Sequence, residues 1–288
     1  MDSAITITNV SKTYEGFTLE NANITLPQGC IMGVIGENGA GKSTLINLIL
    51  DLIKRDSGEI HVLGHNNLRI PGALKERIGV VFDECFFPEN LNIKQINGIL
   101  KNIYRQWDEA EFQRRIANFE LPQTKQVKDF SRGMKMKLSI AAALSHGAEL
   151  LILDEAAGGL DPMAREEILD LLLDFIQDET HSVLISSHII TDLEKVCDYI
   201  TFIHKGKIVF SEEKDLIKEK YRLVKCDEEE LAMIPKAAVK GVRRSKFGST
   251  ALVLEEAVPP QLSADPADIE SIMVFYSKKE YRYERVDY

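Results

Sequence analysis

The chain has no run approaching the roughly 18 consecutive apolar residues that a membrane-crossing helix needs, so a role at a membrane has to pass through another chain. It lacks the marks of a secretory leader: Met1-Asp2-Ser3-Ala4 is not basic, and no signal-type apolar block follows. Cysteine is scarce. The four present, Cys30, Cys85, Cys197 and Cys226, show neither metal-ligand nor disulfide-framework spacing, which points to a reducing cytosol. Positive charge is in deficit, with 35 Lys and Arg against 45 Asp and Glu and a net charge of -10. A duplex nucleic-acid partner calls for a basic face and is therefore not expected. Tandem repeats, low-complexity tracts and an Asn-Lys-x-Asp guanine-reading motif are also missing.

What remains is ordinary for a globular protein of one or two domains. With 288 residues, 44% hydrophobic and 28% charged, the chain can bury a sizeable core. Its most informative stretch is Gly36-Glu37-Asn38-Gly39-Ala40-Gly41-Lys42-Ser43-Thr44, which fits G-x-x-x-x-G-K-[ST]. An apolar run, Cys30–Ile35, precedes it as a strand, and Leu45–Leu50 follows as a helix. The chemistry explains the spacing. Glycines let the backbone curl so that successive N–H groups face phosphate oxygens, and the helix N-terminus adds a positive dipole end. Lys42 is placed for the β- and γ-phosphates, and the Ser43 hydroxyl for Mg²⁺.

Along the chain, residues 3–35 read as three strands around Ile5–Val10, Phe17–Leu19 and Ile24–Leu26, with turns at Gly16 and Pro27-Gln28-Gly29. Tyr14 lies between the first two, as a packing residue or as an aromatic face for a base. Strands are expected over Glu59–Gly64 and Ile78–Phe82, the latter ending at Asp83. Residues 90–128 are polar and helix-forming, with Ile93, Ile96, Ile99, Leu100 and Ile103 assigned to one face and a second helix over Asp108–Asn118. Ser131 suits an N-cap for a helix carrying Leu138, Ala141, Ala142 and Leu144. Leu150–Leu153 is a continuous apolar strand that delivers Asp154 and Glu155 to its C-terminal end, where α/β sheets bind ligands. Gly158-Gly159-Leu160-Asp161-Pro162 turns into a helix from Met163, and Ser182–Ser187 forms another buried strand with His188 at its end. A hairpin is expected around Lys205-Gly206. A boundary is placed near Tyr221. Beyond it, strand, helix, two strands and a helix over Ala267–Tyr276, with Pro266 in its first turn, suggest part of a ferredoxin-like unit. The basic residues Lys240, Arg243, Arg244 and Lys246 read as a solvated hairpin in preference to a lipid-binding patch.

These motifs, in this order over the first three quarters of the chain, resemble the ATP-binding cassette (ABC) ATPases, the nucleotide-binding subunits of membrane transporters. Gly36–Ser43 resembles the Walker A loop and Leu150–Asp154 the Walker B strand. The resemblance implies a phosphate and nucleotide cradle of Gly36, Glu37, Asn38, Gly39, Ala40, Gly41, Lys42, Ser43 and Thr44. It puts Tyr14 on the adenine, Mg²⁺ on Ser43, Asp83 and Asp154, Glu155 as the catalytic carboxylate and His188 as the switch histidine. Ser131 and Gly133 take the place of the signature, and Asp161 that of the D-loop. The implied fold is a P-loop NTPase α/β core with an antiparallel β subdomain and a helical insertion over about 90–145, together forming 1–221, plus a small α+β domain over 222–288.

Three departures stand out. A carboxylate, Asp83, replaces the family's glutamine; the signature reads Phe130-Ser131-Arg132-Gly133-Met134 where Leu-Ser-Gly-Gly-Gln is usual; and Ala156-Ala157 follow Glu155 where Pro-Thr is usual. The first two bear on the rate and coupling of hydrolysis, not on nucleotide binding. The resemblance further implies ATP and Mg²⁺ as cofactors, and a homodimer or a heterodimer with a second ABC ATPase. It implies a separate integral-membrane permease of bacterial exporter type and a cytoplasmic position on the inner face of the membrane. A soluble cassette protein and a nucleotide sensor with weak hydrolysis are the alternatives. The first usually has two cassettes or a long coiled coil, and this chain has one cassette and neither addition; Glu155 and His188 argue against the second, while Asp83 and Arg132 leave it open.

Overall fold

In the computed structural model, residues 2–245 and 248–277 are described. The chain forms two compact units, Met1–Ser211 and Glu212–Tyr288. The first runs β1 (Ser3–Tyr14), β2 (Phe17–Pro27), β3 (Ile31–Ile35), α1 (Lys42–Ile49), β4 (Ser57–Val62), β5 (His65–Asn66), α2 (Gly72–Lys75) and β6 (Ile78–Val81). It continues with α3 (Ile93–Ile103), α4 (Glu109–Asn118), α5 (Arg132–Ala143), β7 (Leu150–Asp154), α6 (Pro162–Phe175), β8 (Ser182–Ser187), α7 (Ile190–Val196), β9 (Tyr199–His204) and β10 (Lys207–Glu213).

A sheet of order β5-β4-β1-β2-β10-β9-β3-β8-β7-β6 spans this unit. Strands β9, β3, β8, β7 and β6 pair in parallel, whereas β5, β4, β1 and β2 pair antiparallel. Every residue of β3, β7 and β8 is buried, as expected for parallel strands covered on both faces and for their unbroken apolar sequences. Register then fixes the site. Ile35 lies opposite Ser187, and Asp154 opposite Ser186, so the residues just past β3, β7 and β8 emerge along one rim of the sheet.

The three N-terminal strands expected from sequence are two. Phe17–Leu19 and Ile24–Leu26 belong to one strand, β2, because β1 pairs along its whole length through irregular register between Ile7 and Lys12. The helical insertion has a core of its own in which Ile93, Ile96, Leu100, Phe112, Ile116, Val127 and Leu138 meet. Ile99 and Ile103, expected on the apolar face, are exposed at 44% and 59%. At 3.6 residues per turn Ile99 falls about 60° beyond Ile96, outside the stripe set by residues 93, 96 and 100, whereas Ile103 projects within about 20° of Ile96 but is the last residue of α3, past Leu100, the last buried residue of the helix. The polar residue on that stripe is Asn97, whose amide accepts from Trp107 Nε1 at 2.9 Å and donates to Glu109 Oε1 at 2.8 Å, so its burial leaves these groups bonded.

The second unit holds α8 (Lys214–Lys220), β11 (Tyr221–Cys226), α9 (Glu228–Met233), β12 (Val239–Ser245), β13 (Gly248–Leu254), β14 (Ala264–Pro266) and α10 (Ile269–Ser277). Its sheet has the order β12-β13-β11-β14, with β11–β13, β11–β14 and β12–β13 antiparallel. That is the strand order of a ferredoxin-like unit, but the last strand precedes the second helix. Pro266 is accordingly the end of β14, paired with Arg222, and not the first turn of α10. Arg243 is exposed and Arg244 pairs with Glu228 at 2.7 Å, while Lys246 lies outside the described residues. Among the described residues, no helix is long and apolar enough to cross a membrane.

Candidate functional site

The loop between β3 and α1 is shaped by close approach and by left-handed backbone. A Cβ at Gly36 would stand 2.4 Å from the Ile203 carbonyl oxygen, so only glycine lets the loop leave β3 against β9. Gly41, with φ of 117°, is the N-cap of α1 and has no side chain to offer the helix. The first intrahelical bond runs from Leu45 N–H to the Gly41 carbonyl at 2.9 Å. The N–H groups of residues 41–44 therefore have no partner within the helix and are available to an anion. Ala40 is buried behind the loop, its N–H donating to the Glu37 carbonyl and its carbonyl accepting from Gly206 N–H, each at 3.0 Å.

Lys42 is the first residue of α1 and is buried. Its ammonium donates to the Gly36 carbonyl at 2.8 Å and the Glu37 carbonyl at 3.4 Å, and lies 3.1 Å from Glu155 Oε1. The last contact is an ion pair without hydrogen-bond direction, and Oε1 is buried with no hydrogen-bond partner. The other carboxylate oxygen of Glu155 accepts from His188 Nδ1–H at 2.7 Å. Burial works against ionising Glu155, but the His188 hydrogen bond and the Lys42 charge outweigh it, and its carboxyl is held below the ordinary glutamate range. Glu155 also has φ of 52°, a left-handed conformation that costs a non-glycine residue about 1 kcal/mol or more. Its N–H is anchored by Ser186, to the carbonyl at 3.2 Å and to Oγ at 3.0 Å.

Ser186 also donates its hydroxyl to Asp154 Oδ1 at 2.6 Å. One buried hydroxyl thus orients both carboxylate-bearing residues at the end of β7. Sequence reading missed this role; the available signal was the pair Ser186-Ser187 closing a fully buried strand.

A cavity of about 720 Å³ opens on this rim. Its walls include Glu37, Asn38, Gly39, Gly41, Lys42, Ser43 and Thr44 from the loop, together with Asp83, Glu155 and His188. Asp83 lies two residues beyond β6, exposed, and faces this space. Several expected site residues lie elsewhere. Gly36 and Ala40 support the loop from behind, and Asp154 is buried beneath the rim. Tyr14 is 42% exposed with Lys12 Nζ 5.3 Å from its ring centroid, and the aromatic residue on the cavity wall is Phe17. Asp161 is the N-cap of α6, its carboxylate accepting from Ala164 N–H at 3.0 Å. Ser131 caps α5 in the same way, accepting from Met134 N–H at 3.2 Å. Neither Ser131 nor Gly133 lines the cavity, but Arg132 between them does.

A phosphate loop at the switch from β3 to α1, backed by strand-end carboxylates in a parallel sheet, defines a P-loop nucleotide-binding ATPase fold. Comparison with known proteins specifies which. The chain belongs to the ABC transporter family, whose model matches residues 19–158. The bacitracin transport ATP-binding protein BcrA of Bacillus licheniformis is 34% identical over 226 residues, spanning 77% of this chain and 74% of that protein. The lantibiotic transport ATP-binding protein SrtF of Streptococcus pyogenes is 34% identical over 218 residues, 73% of this chain and 90% of its own length. Among solved structures, an ATP-binding subunit of an ABC transporter superposes with a TM-score of 0.65 at 26% identity, covering 75% of this chain and 92% of that one. CbiO1 of Clostridium perfringens, part of the transporter complex cbiONQ, gives 0.64 at 26% identity, covering 76% and 92%. The chain is thus an ATP-binding ATPase subunit that powers transport.

Proposed function

We propose that the loop Gly36–Thr44 holds the triphosphate of ATP, that Glu155 and His188 act on its terminal phosphate, and that the chain works as one of two cassettes docked on a separate integral-membrane permease at the inner face of the cell membrane. The observation that carries this reading is the convergence of the loop amides, Lys42, Glu155 and His188 on one cavity. Backbone N–H groups and Lys42 neutralise phosphate charge. A phosphate entering the loop shares Lys42 with Glu155. Glu155 takes a proton from the attacking water while the bond from the γ-phosphorus to the bridging oxygen breaks, and the ADP oxygen leaves with the electron pair. His188, fixed through Nδ1 on Glu155, turns its other ring nitrogen to the γ-phosphate.

The donor set suits Mg²⁺. The Ser43 hydroxyl and the Asp83 carboxylate line the cavity, and Asp154 lies below with one oxygen held by Ser186. Among the described residues, no group of three or more His, Cys, Asp or Glu could hold a metal alone. That fits an ion which takes one or two protein carboxylates and completes its shell from phosphates and water. When bound, Mg²⁺ supplies charge neutralisation on the phosphate oxygens.

Ser131 and Gly133 do not line this cavity, and we assign their contribution to a second cassette's nucleotide across a homodimer or a heterodimer. ATP binding then closes the pair, and hydrolysis opens it. The relatives named for bacitracin and lantibiotic transport support the placement beside a permease, which would choose the substrate. The test uses Glu155→Gln at saturating Mg-ATP. Size-exclusion chromatography should show a dimer, and the tagged chain should co-purify from membranes with a multispanning protein. A monomer under saturation would sink the two-cassette mechanism.

A further inference from the structure

The helices α6 and α7 are joined by ion pairs of different kinds. Lys195 on α7 meets Glu166 on α6 with both side chains half exposed. Arg165 Nη1 on α6 meets Asp192 Oδ2 on α7 at 3.1 Å, and there the side chains are 22% and 11% exposed. Arg165 Nε is buried without a hydrogen-bond partner. A buried pair with a donor left over is a poor device for stability, because desolvating both charges offsets their attraction. Its place in the chain points to another use. Arg165 closes the first turn of α6, its N–H donating to the Asp161 carbonyl at 3.1 Å. Asp192 lies in the first turn of α7. Those turns end the two segments that leave β7 and β8 and carry Glu155 and His188.

Resting on the reading that Glu155 and His188 act on the terminal phosphate, we propose that Arg165 and Asp192 are positioning residues for hydrolysis, whose bridge seats α7 so that the His188 ring meets Glu155. The two residues of the site are held differently. The Glu155 backbone is fixed to β8 through Ser186, by bonds of 3.2 and 3.0 Å. The His188 side chain is 54% exposed, so packing does not hold it, and its ring goes where the backbone between Ser187 and α7 carries it. Its bond of 2.7 Å to Glu155 Oε2 therefore depends on the seat of α7. A buried charge pair selects one registry of α7 on α6, which an apolar contact would leave free to slide. Neither Arg165 nor Asp192 lines the cavity, so both act through His188 and leave the loop amides and Lys42 to bind nucleotide.

The test is single-turnover ATP hydrolysis with calorimetric titration of AMPPNP, and thermal melts to confirm folding. Asp192→Asn and Arg165→Met should each slow hydrolysis about tenfold or more, within the roughly hundredfold that a displacement of about 1 Å costs, and change AMPPNP affinity less than about twofold. Arg165→Lys, which keeps the charge, should lose less. Arg165→Met combined with Asp192→Leu leaves no buried charge unpaired, serves if a single variant fails to fold, and should also hydrolyse slowly. Glu166→Gln breaks the exposed pair on the same two helices and should hydrolyse as wild type does. The deciding measurement adds Asp192→Asn to His188→Ala, where no ring is left to place and the further loss should be less than about twofold. A full second loss there would make the bridge a general support of the fold and overturn the proposal. So would wild-type hydrolysis in Asp192→Asn, or AMPPNP affinity that falls in step with the rate; a slow His188→Ala would then leave the reading of the site standing. Wild-type hydrolysis in His188→Ala overturns both.

Discussion

Replacing Glu155 by glutamine changes three measurable quantities in different directions. The amide keeps the shape and can still accept from His188 Nδ1–H, but it cannot take a proton from water. Loss of a general base lowers turnover by about 10²–10⁴-fold, so phosphate release should fall to a hundredth of wild type or less. Affinity should move the other way. The Glu155 carboxylate is 3.1 Å from Lys42 Nζ and 20% exposed. Two unit charges at 4 Å interact by about 1 kcal/mol in water and about 4 kcal/mol at an effective dielectric of 20. With Lys42 given wholly to the phosphate, ATP should bind about 1 kcal/mol tighter, roughly fivefold, by the lower of those figures. Stability should fall. Lys42, buried beside the loop, keeps the Gly36 carbonyl at 2.8 Å but loses its charged partner, at a cost of about 1–3 kcal/mol. That cost has a pH signature. The Glu155 carboxyl is depressed in the folded chain, so its contribution is complete above the unfolded value near 4.3 and is lost as pH falls through the folded value. Denaturant melts of wild type and variant should therefore differ at neutral pH and converge only in acid below about pH 4.3. Phosphate release within threefold of wild type would refute the base assignment. Equal stability at pH 7 would refute the ion pair as a stabilising contact.

Asp83 adds a second carboxylate to the cavity wall, so ATP affinity should depend strongly on Mg²⁺; Asp83→Gln should reduce that dependence, and identical titrations with Mg²⁺ and with chelator in both proteins would place Asp83 outside the metal's reach. Lys94→Glu on α3 should leave ATP binding intact and reduce co-purification of the membrane partner, because Lys94 is exposed on the helical insertion and off the nucleotide cavity. Glu109→Lys tests the same face less cleanly, since Glu109 bonds Asn97 and Lys101, each at 2.8 Å, and its loss should also lower the melting temperature. A chain ending at Tyr221 should fold and bind ATP, because the site is built entirely within the first unit; a folded truncation that binds no nucleotide would contradict this.

Features carried by contiguous residues were legible from sequence. The glycine loop, the apolar runs of β3, β7 and β8, the helix cap at Ser131 and the carboxylates at a strand end are each fixed by the conformational limits of a few neighbouring residues. The chemistry of phosphate binding is written in that same short range, since Gly36, Gly41, Lys42 and Ser43 act through backbone shape and helix polarity. The errors arose where a choice depended on something distant. Periodicity put Ile99 and Ile103 on a buried face, but the packing partners of α3 cover only the stripe through Ile93, Ile96 and Leu100. Proline chemistry put Pro266 in a helix, but pairing with Arg222 made it a strand end. Tertiary structure alone decided that Ser186 holds Asp154 and the Glu155 backbone together, that His188 reaches Glu155, and that Phe17 and not Tyr14 lines the cavity. It also laid Arg132 across two glycines from another loop. Local propensity settles which segments become strands and helices. Which side chains meet depends on strand register and on how each helix is seated, and both are set by contacts between residues far apart in the chain.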